Sequence, residues 1–523
     1  MIEDLMGYRA YWEETLLRKG DLMILDGTIG RSDMLHCVLC NDAPCTGACT
    51  RGVDPARILR GVWFTNDKAM AVSLPEENPC EGCNAPCERA CVRFGKVAIQ
   101  RMITLLTQEV RPKVEVSAPV DESLLACDLC GVPLENPFLL GSSVVASTYD
   151  MCARAFEAGW AGAAFKTVCT LDIHEASPRF SAIRGEFGTI AGFKNIEQLS
   201  DHTLEENLST FRHLKQAYPE KAVIASIMGQ NEEEWERLAG LCQEAGADAV
   251  ELNLSCPNMA EGGLGSDVGQ VPELVEQAVA AARRGTSVPL IAKLTPNVAH
   301  MAPASDAAKR AGADGIAAIN TIKSIVDVNP HTYVSSPSVR GIGAVGGYSG
   351  QAVRPIALRF IAELAADPQL AGMHLSGIGG IETWRDALEF LMLGAGSVQV
   401  CTAVMQYGYR IIDDLKAGLA LYLAEKGFAS VRDVIGLGVS SVSDTTAELD
   451  RDSVVYPRFK RERCLGCGRC ALSCADGGHQ AIRMDEHRRP VLNPAKCVGC
   501  HLCVLVCPEG AVVSSAKRVI PKF

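Results

Sequence analysis

A (β/α)8 barrel flanked by two cysteine-rich modules is the fold class this sequence predicts, and three observations predict it. Eight short apolar, β-rich runs recur between about residues 120 and 425. Helical segments separate several of them, the alternation that builds a parallel sheet closed on itself. Finally, 16 of the 23 cysteines fall into four groups headed by Cys-x2-Cys, all outside that stretch. A doubly wound sheet is the alternative, but no Gly-x-Gly-x-x-Gly follows a first strand.

The runs are Phe138–Ser143, Gly162–Thr167, Val223–Met228, Ala249–Leu254, Leu290–Leu294, Gly315–Asn320, Met373–Ile378 and Ser397–Cys401. Between them Glu232–Ala245, Pro272–Arg284, Ala302–Ala311 and Pro355–Ala366 carry helical periodicity. Joints such as Ala245-Gly-Ala-Asp248 and Ala311-Gly-Ala-Asp314 end a helix and lead into the next strand. The predicted domains are 1–110, a front cysteine module; 111–425, the barrel; and 426–523, a helical connector with the second cysteine module. Pro55 to Met70 reads as a helix with Ile58, Leu59, Val62 and Trp63 on one side.

Composition is globular, with 48% hydrophobic and 21% charged residues. The net charge of −12 argues against a nucleic-acid surface, which needs a basic stripe. The first residues lack the basic and apolar regions of a signal peptide, and no apolar stretch approaches the ~20 residues that span a bilayer. A cytoplasmic protein is expected. Disulfide scaffolds of comparable cysteine density are short secreted chains, so metal ligation in a reducing compartment explains the cysteines better.

Near the C-terminus, Cys464-x2-Cys467-x2-Cys470-x3-Cys474 and Cys497-x2-Cys500-x2-Cys503-x3-Cys507-Pro508 have the ligand spacing of a two-cluster, ferredoxin-like [4Fe–4S] domain. In that pattern three cysteines of a run bind one cluster and the fourth crosses to the other. Cys464, Cys467, Cys470 and Cys507 are therefore assigned to one cluster, and Cys497, Cys500, Cys503 and Cys474 to its neighbour. The front module holds Cys37-x2-Cys40-x4-Cys45-x3-Cys49 and Cys80-x2-Cys83-x3-Cys87-x3-Cys91. Zinc is the alternative for either front group, but ferredoxin-like cysteines downstream favour electron transfer. The Cys127-x2-Cys130 pair, lacking partner ligands, is read as ordinary core or surface.

A barrel's chemistry sits at the C-terminal ends of its strands. There the apolar runs are followed by Ser142 and Ser143, Lys166 and Thr167, Asn253, Lys293, Asn320 and Thr321, Gly379 and Gly380, and Cys401 and Thr402. Two lysines and two asparagines at four strand ends are hard to explain as packing, because unpaired buried charge costs several kcal/mol. They suit a polar ring held between them. Cys256 opens a loop running to Gln270 that is rich in glycine and so able to move.

Six segments carry a resemblance: NLSCPN (Asn253–Asn258), AKLTPN (Ala292–Asn297), AINT (Ala318–Thr321), SGIGGI (Ser376–Ile381), FKNIE (Phe193–Glu197) and GYSGQAVRPIAL (Gly347–Leu358). The first four resemble the FMN-binding barrel of class 1 dihydroorotate and dihydropyrimidine dehydrogenases. The last two, with the attached ferredoxin domain, favour the dihydropyrimidine branch, above all the pyrimidine-reducing subunit of bacterial NAD-dependent dihydropyrimidine dehydrogenases. That subunit generally lacks the front cysteine module. The resemblance implies that Lys166, Thr167 and Lys293 line the flavin ring and its ribityl chain, with Ser142 and Ser143 beneath the ring and Gly350 also at the cofactor. It places Gly379, Gly380, Cys401 and Thr402 at the phosphate. It assigns Asn195, Asn253, Asn320 and Thr321, with Glu197, to the pyrimidine, and makes Cys256 the general acid.

The front module resembles the N-terminal iron–sulfur domain shared by dihydropyrimidine dehydrogenases and the small subunit of glutamate synthase. By that pattern Cys37, Cys40 and Cys45 join Cys91, leaving Cys49, Cys87 and one or both of Cys80 and Cys83 for a second cluster. Animal enzymes use a glutamine near the position of Gln100, but two available thiols favour an all-cysteine cluster.

The expected activity is reversible reduction of the C5=C6 bond of uracil or thymine. Asparagine amides, offering both donors and acceptors, suit the alternating polar edge of that ring. Action on dihydroorotate, a hydantoin or another cyclic ureide is an alternative, as is a non-catalytic flavin relay. Without a nicotinamide-binding fingerprint, the chain is expected to draw electrons from an FAD- and NADH-binding partner subunit or a ferredoxin. By resemblance it assembles as a dimer or heterotetramer.

Overall fold

The computed structural model describes residues 36–113, 120–185, 189–258, 265–443 and 445–520. Eight parallel strands close into a barrel: β1 Phe138–Leu140, β2 Gly162–Ala164, β3 Ala222–Ile227, β4 Ala249–Asn253, β5 Leu290–Lys293, β6 Gly315–Ala318, β7 His374–Ile378 and β8 Ser397–Val400. They are the eight predicted runs, paired in chain order, with Val398 to Val400 of β8 registered on Phe138 to Leu140 of β1 to close the ring. Most strand positions are buried on both faces, which is why the runs read as continuous apolar stretches rather than alternating ones. The predicted helices form at Glu232–Glu244, Pro272–Gly285, Ala302–Arg310 and Arg354–Ala366. Asn231 caps the first through Glu234 N, and Gly246 and Gly312, at φ +92° and +99°, turn the chain into β4 and β6.

Sequence periodicity did not disclose a four-stranded antiparallel sheet at the barrel mouth. Its order is Ile322–Ser324, Gly346–Ser349, Ile190–Asn195 and Phe180–Arg184. Lys194 within it is fully buried and donates to Ser336 O at 2.9 Å and Ala344 O at 2.6 Å. Those bonds tie the 325–345 excursion down onto the sheet. The sheet thereby brings Phe193, Asn195, Tyr348 and Ser349 over the strand ends.

In the front module the single helix expected over Pro55–Met70 is two, Pro55–Trp63 and Asp67–Ser73. Thr65 takes φ +53°, and a Cβ on Gly61 would meet Met70 Cβ at 2.8 Å, so the second helix folds back against the first. The break turns Phe64 into the barrel's own hydrophobic core. There its ring and that of Trp63 meet Tyr407 edge-on at 5.1 and 6.3 Å. Arg60 pairs with buried Asp414 at 2.7 Å, and Asn66 Nδ2 donates to Asp414 O at 3.0 Å. Arg410 donates to Leu39 O and, at 3.1 Å, to Cys40 O. The module also contains a short internal repeat, Ala43-Pro44-Cys45-x-x-Ala48-Cys49 and Ala85-Pro86-Cys87-x-x-Ala90-Cys91. In each copy the alanine is left-handed, at φ +42° and +51°, and the proline starts a one-turn helix carrying the cysteine.

Residues from Ser443 onward form a separate compact unit. Val454–Phe459 pairs antiparallel with Val512–Val519, and Ile482–Met484 with Pro490–Leu492. Helices Arg469–Gly477 and Leu502–Leu505 each follow a left-handed residue, Gly468 or His501, inside a cysteine run. Among the described residues no helix is long and apolar enough to cross a membrane.

Candidate active site at the barrel mouth

The C-terminal strand ends and the mouth sheet enclose an open cavity of about 1090 Å³. All sixteen barrel residues singled out from the sequence line it: Ser142, Ser143, Lys166, Thr167, Asn195, Glu197, Asn253, Cys256, Lys293, Asn320, Thr321, Gly350, Gly379, Gly380, Cys401 and Thr402.

A tight polar web fixes them. Ser142 Oγ donates to Phe165 O at 2.7 Å and lies 3.3 Å from Thr167 Oγ1. Thr167 Oγ1 accepts from Asn253 Nδ2 at 2.8 Å and meets Ser226 Oγ at 2.9 Å. Asn320 Nδ2 donates to Ser255 Oγ at 2.8 Å, and its Oδ1 accepts from Thr321 N at 2.7 Å. Cys401 Sγ donates to Ser143 Oγ at 2.9 Å. Asn258, which the sequence did not single out as a contact, donates to Asn195 Oδ1 at 3.0 Å and Glu197 O at 2.7 Å.

Both lysines are neutralised where they stand. Lys293 Nζ lies 3.1 Å from Glu251 Oε1, whose other oxygen accepts from Gln399 Nε2 at 2.8 Å. Lys166 Nζ lies 3.5 Å from Glu175 and 3.6 Å from Glu197, and Arg179 pairs with Glu197 at 2.9 Å. Burial pushes the Glu197 carboxyl up, with Lys166 and Arg179 pulling it back. Glu251 and Gln399 were missed, although a charge or amide inside an apolar strand run is itself a signal. Below them the polar ladder continues through Ser376 and Ser397 to His374 Nε2, 3.0 Å from Ser397 Oγ. Burial lowers that imidazole to about 4, keeping it neutral.

Cys256 is 6% exposed. Burial, then the nearby Glu175 and Cys169, push its thiol up to about 11, against the backbone N–H of Asn258 and the charge of Lys166. The loop that follows lies partly outside the described residues, at 259–264.

The cavity fits a flavin nucleotide. Gly379, Gly380 and Gly350 have φ of +130°, +74° and +85°, and a Cβ on Gly380 would meet Gly350 O at 2.8 Å and Arg354 Cβ at 2.9 Å. Only glycine lets these backbones draw so close together. Gln399 Oε1 and Asn258 Oδ1 are buried acceptors lining the cavity with no donor among the described residues, suited to ring N–H groups.

The thiols gather in four sets. Cys37 lies near Cys40 and Cys91, and Cys45 near Cys37 and Cys40; burial first, and then these neighbouring thiols, push Cys37 and Cys45 up. Cys49, Cys80, Cys83 and Cys87 surround a space of about 320 Å³. Gln100 borders it, its Nε2 donating to Cys80 O at 3.2 Å and Cys83 O at 2.7 Å. In the C-terminal unit Cys464, Cys467, Cys470 and Cys507 line one space of about 400 Å³. Cys474, Cys497, Cys500 and Cys503 line another of about 340 Å³. Ala481 N and Ala511 N each donate at 3.2 Å to a crossing thiol, Cys474 and Cys507. Among the described residues no three potential ligands converge closely enough for a single metal ion. Cys127 and Cys130 lie on a hairpin, Cys127–Leu129 with Val132–Leu134, and burial pushes each up to about 12.

Barrel, glycine cradle and ferredoxin-type thiols together define an iron–sulfur flavoenzyme, an oxidoreductase. The chain belongs to the dihydroorotate dehydrogenase family, whose profile matches residues 124–423; a 4Fe-4S dicluster domain matches 458–513. It is 52% identical over 365 residues to the NAD-dependent dihydropyrimidine dehydrogenase subunit PreA of Escherichia coli K12, covering 70% of this chain and 89% of that one. It is 36% identical over 360 residues to the chloroplastic dihydropyrimidine dehydrogenase (NADP(+)) of Arabidopsis thaliana, covering 66% and 84%. It is also 38% identical over 317 residues to the catalytic subunit of dihydroorotate dehydrogenase B (NAD(+)) of Pyrococcus abyssi, covering 60% and 99%.

Proposed function

We propose that the chain reduces the C5=C6 bond of uracil or thymine, reversibly, with electrons delivered one at a time through four [4Fe–4S] clusters. What chiefly supports this is a buried, protonated thiol at Cys256 in the same cavity as an amide-rich lining whose cations are already paired. A neutral ring with alternating donors and acceptors is held by amides without a net charge. The carboxylate of orotate would need a free cation, and the two lysines among the described lining residues are both committed to glutamates. The same Cys256 and amide set speak against a non-catalytic relay.

FMN, held by Lys166, Lys293 and the Gly350, Gly379 and Gly380 backbones, would supply the hydride chemistry for C6 of the ring. Asn195, Asn253, Asn320 and Thr321 orient the pyrimidine, and Asn258 holds Asn195 in place. Cys256 Sγ gives its proton to C5, leaving a thiolate that the charge of Lys166 favours. Lys293, paired with Glu251 Oε1 while Gln399 Nε2 donates to Glu251 Oε2, would set a cation beside the flavin position.

Four thiols gathered around each of three sites, with ferredoxin-type spacing in the C-terminal runs, favour clusters over zinc. An FAD- and NADH-binding subunit or a ferredoxin completes the pathway, in a cytoplasmic dimer or heterotetramer. The test is anaerobic spectrophotometry of holoprotein. Dihydrouracil or dihydrothymine should bleach the flavin absorbance within seconds, whereas dihydroorotate should not. Bleaching by dihydroorotate alone would move the assignment to the orotate branch.

A further inference from the structure

The loop that follows Cys91 is used by nothing in the proposed chemistry. Val92, Arg93, Phe94, Gly95 and Lys96 are all exposed, Phe94 completely and Val92 to 64%. Val38, beside Cys37 in the same thiol set, is 51% exposed and adds to this apolar rim. A fully solvated phenylalanine next to an exposed valine leaves an apolar tip on this loop.

Its charge is as unusual as its apolarity. From Arg89 to Arg101 the chain carries four cations, Arg89, Arg93, Lys96 and Arg101, and no carboxylate, in a protein of net charge −12. The contacts made by Arg89 and Lys96 go to carbonyls: Arg89 Nη1 to Asn84 O at 2.5 Å and Lys96 Nζ to Arg89 O at 2.6 Å. Glu88, directly before this stretch, accepts from Gln100 N at 2.8 Å, and residues 88–101 keep an excess of three positive charges. A local positive field with an apolar tip is therefore presented next to a thiol ligand of the first front group.

We propose that this loop is the docking surface for an acidic one-electron carrier protein that reduces the Cys37–Cys40–Cys45–Cys91 centre; the proposal rests on that group holding a cluster. Charge complementarity selects the occupant, since an acidic carrier is repelled by the net charge of the protein and attracted where this loop's cations gather. Each encounter oxidises the carrier by one electron and reduces the cluster by one. Two encounters, with two protons, supply the pair that saturates one C=C bond.

The experiment uses the full-length holoprotein, reconstituted anaerobically, and compares it with the Arg93→Glu/Lys96→Glu and Phe94→Ala variants. Stopped-flow measures cluster reduction by a reduced acidic bacterial 2[4Fe–4S] ferredoxin, and separately by a small viologen radical. With ferredoxin, the second-order rate of the parent protein should fall about tenfold or more as salt rises, and the charge reversal should cost about tenfold or more at low salt. Viologen rates should stay within about twofold for every protein. Phe94→Ala should slow ferredoxin reduction at all salt concentrations. Full iron loading with ferredoxin rates insensitive to both salt and charge reversal would overturn the docking surface alone. About half the expected iron, with no cluster in the front module, would remove the cluster assignment and the docking surface with it.

Discussion

Cys256 owes its chemistry to its surroundings. A free thiol ionises near 8.5, but here burial and Glu175 hold the proton on sulfur up to about 11. Reduction of the ring requires that proton, so its rate should stay level with pH up to about 10 where an unperturbed thiol would already have failed. Oxidation of the dihydropyrimidine requires the thiolate, so its rate should climb about tenfold per pH unit over the same range. Steady-state profiles in both directions check the signs. Cys256→Ala should keep its flavin and iron–sulfur absorbance and lose about 10²–10⁴ in turnover; near-full activity would remove the residue from the mechanism. Glu251 shows the same dependence on surroundings. It is a fully buried carboxylate, tolerable only because Lys293 and Gln399 satisfy both of its oxygens.

At the scale of elements, the site depends on backbones that approach one another closely. Gly380, which follows β7, lies against Gly350 and the start of the Arg354–Ala366 helix, with φ +74° and 2.8 Å between its would-be Cβ and Gly350 O. Gly380→Ala should therefore purify with much of its flavin lost while the clusters remain, read as the flavin-to-iron ratio. A full flavin complement would mean that the phosphate lies elsewhere. The strand ends were legible in the sequence because β1 to β8 are apolar runs that stop abruptly at polar residues. Phe193 and Tyr348 were not, since they reach the cavity through antiparallel pairing of Gly347 with Asn195 and Tyr348 with Lys194. No local periodicity encodes a register between segments some 150 residues apart. The Pro55–Met70 helix was misjudged for a related reason: its apolar positions continue past Trp63, but packing of Met70 against Gly61 folds the chain back.

At the scale of the molecule, the front cysteine module is joined to the barrel as part of one compact unit. Phe64 sits in the barrel core, and the buried Asp414 carboxyl, raised to about 6 by desolvation, depends on Arg60 for its counter-charge. Deleting the module would consequently expose barrel core. A gentler test is Arg60→Ala, which leaves Asp414 buried without its partner and should weaken docking by at most about 3–5 kcal/mol. Hydrogen exchange should then quicken in Pro55–Trp63 and Asp67–Ser73 while β1 to β8 stay protected. Equal protection in both would assign the attachment to the aromatic contacts around Tyr407 instead.

The sequence by itself determined the barrel, the ferredoxin-type thiol spacing and the residues at the strand ends, because each is written in short-range pattern: apolar run length, cysteine spacing and polar termini. The grouping of the front thiols was left partly open by sequence spacing, and folding gathers Cys49 with Cys80, Cys83 and Cys87 while Cys91 joins Cys37. Tertiary structure alone decided the charge state of the cavity. Whether a lysine is free or spent depends on which carboxylate folding brings within about 3–4 Å: pairing of β4 with β5 sets Glu251 at Lys293, and the chain after β2 folds back to set Glu175 at Lys166.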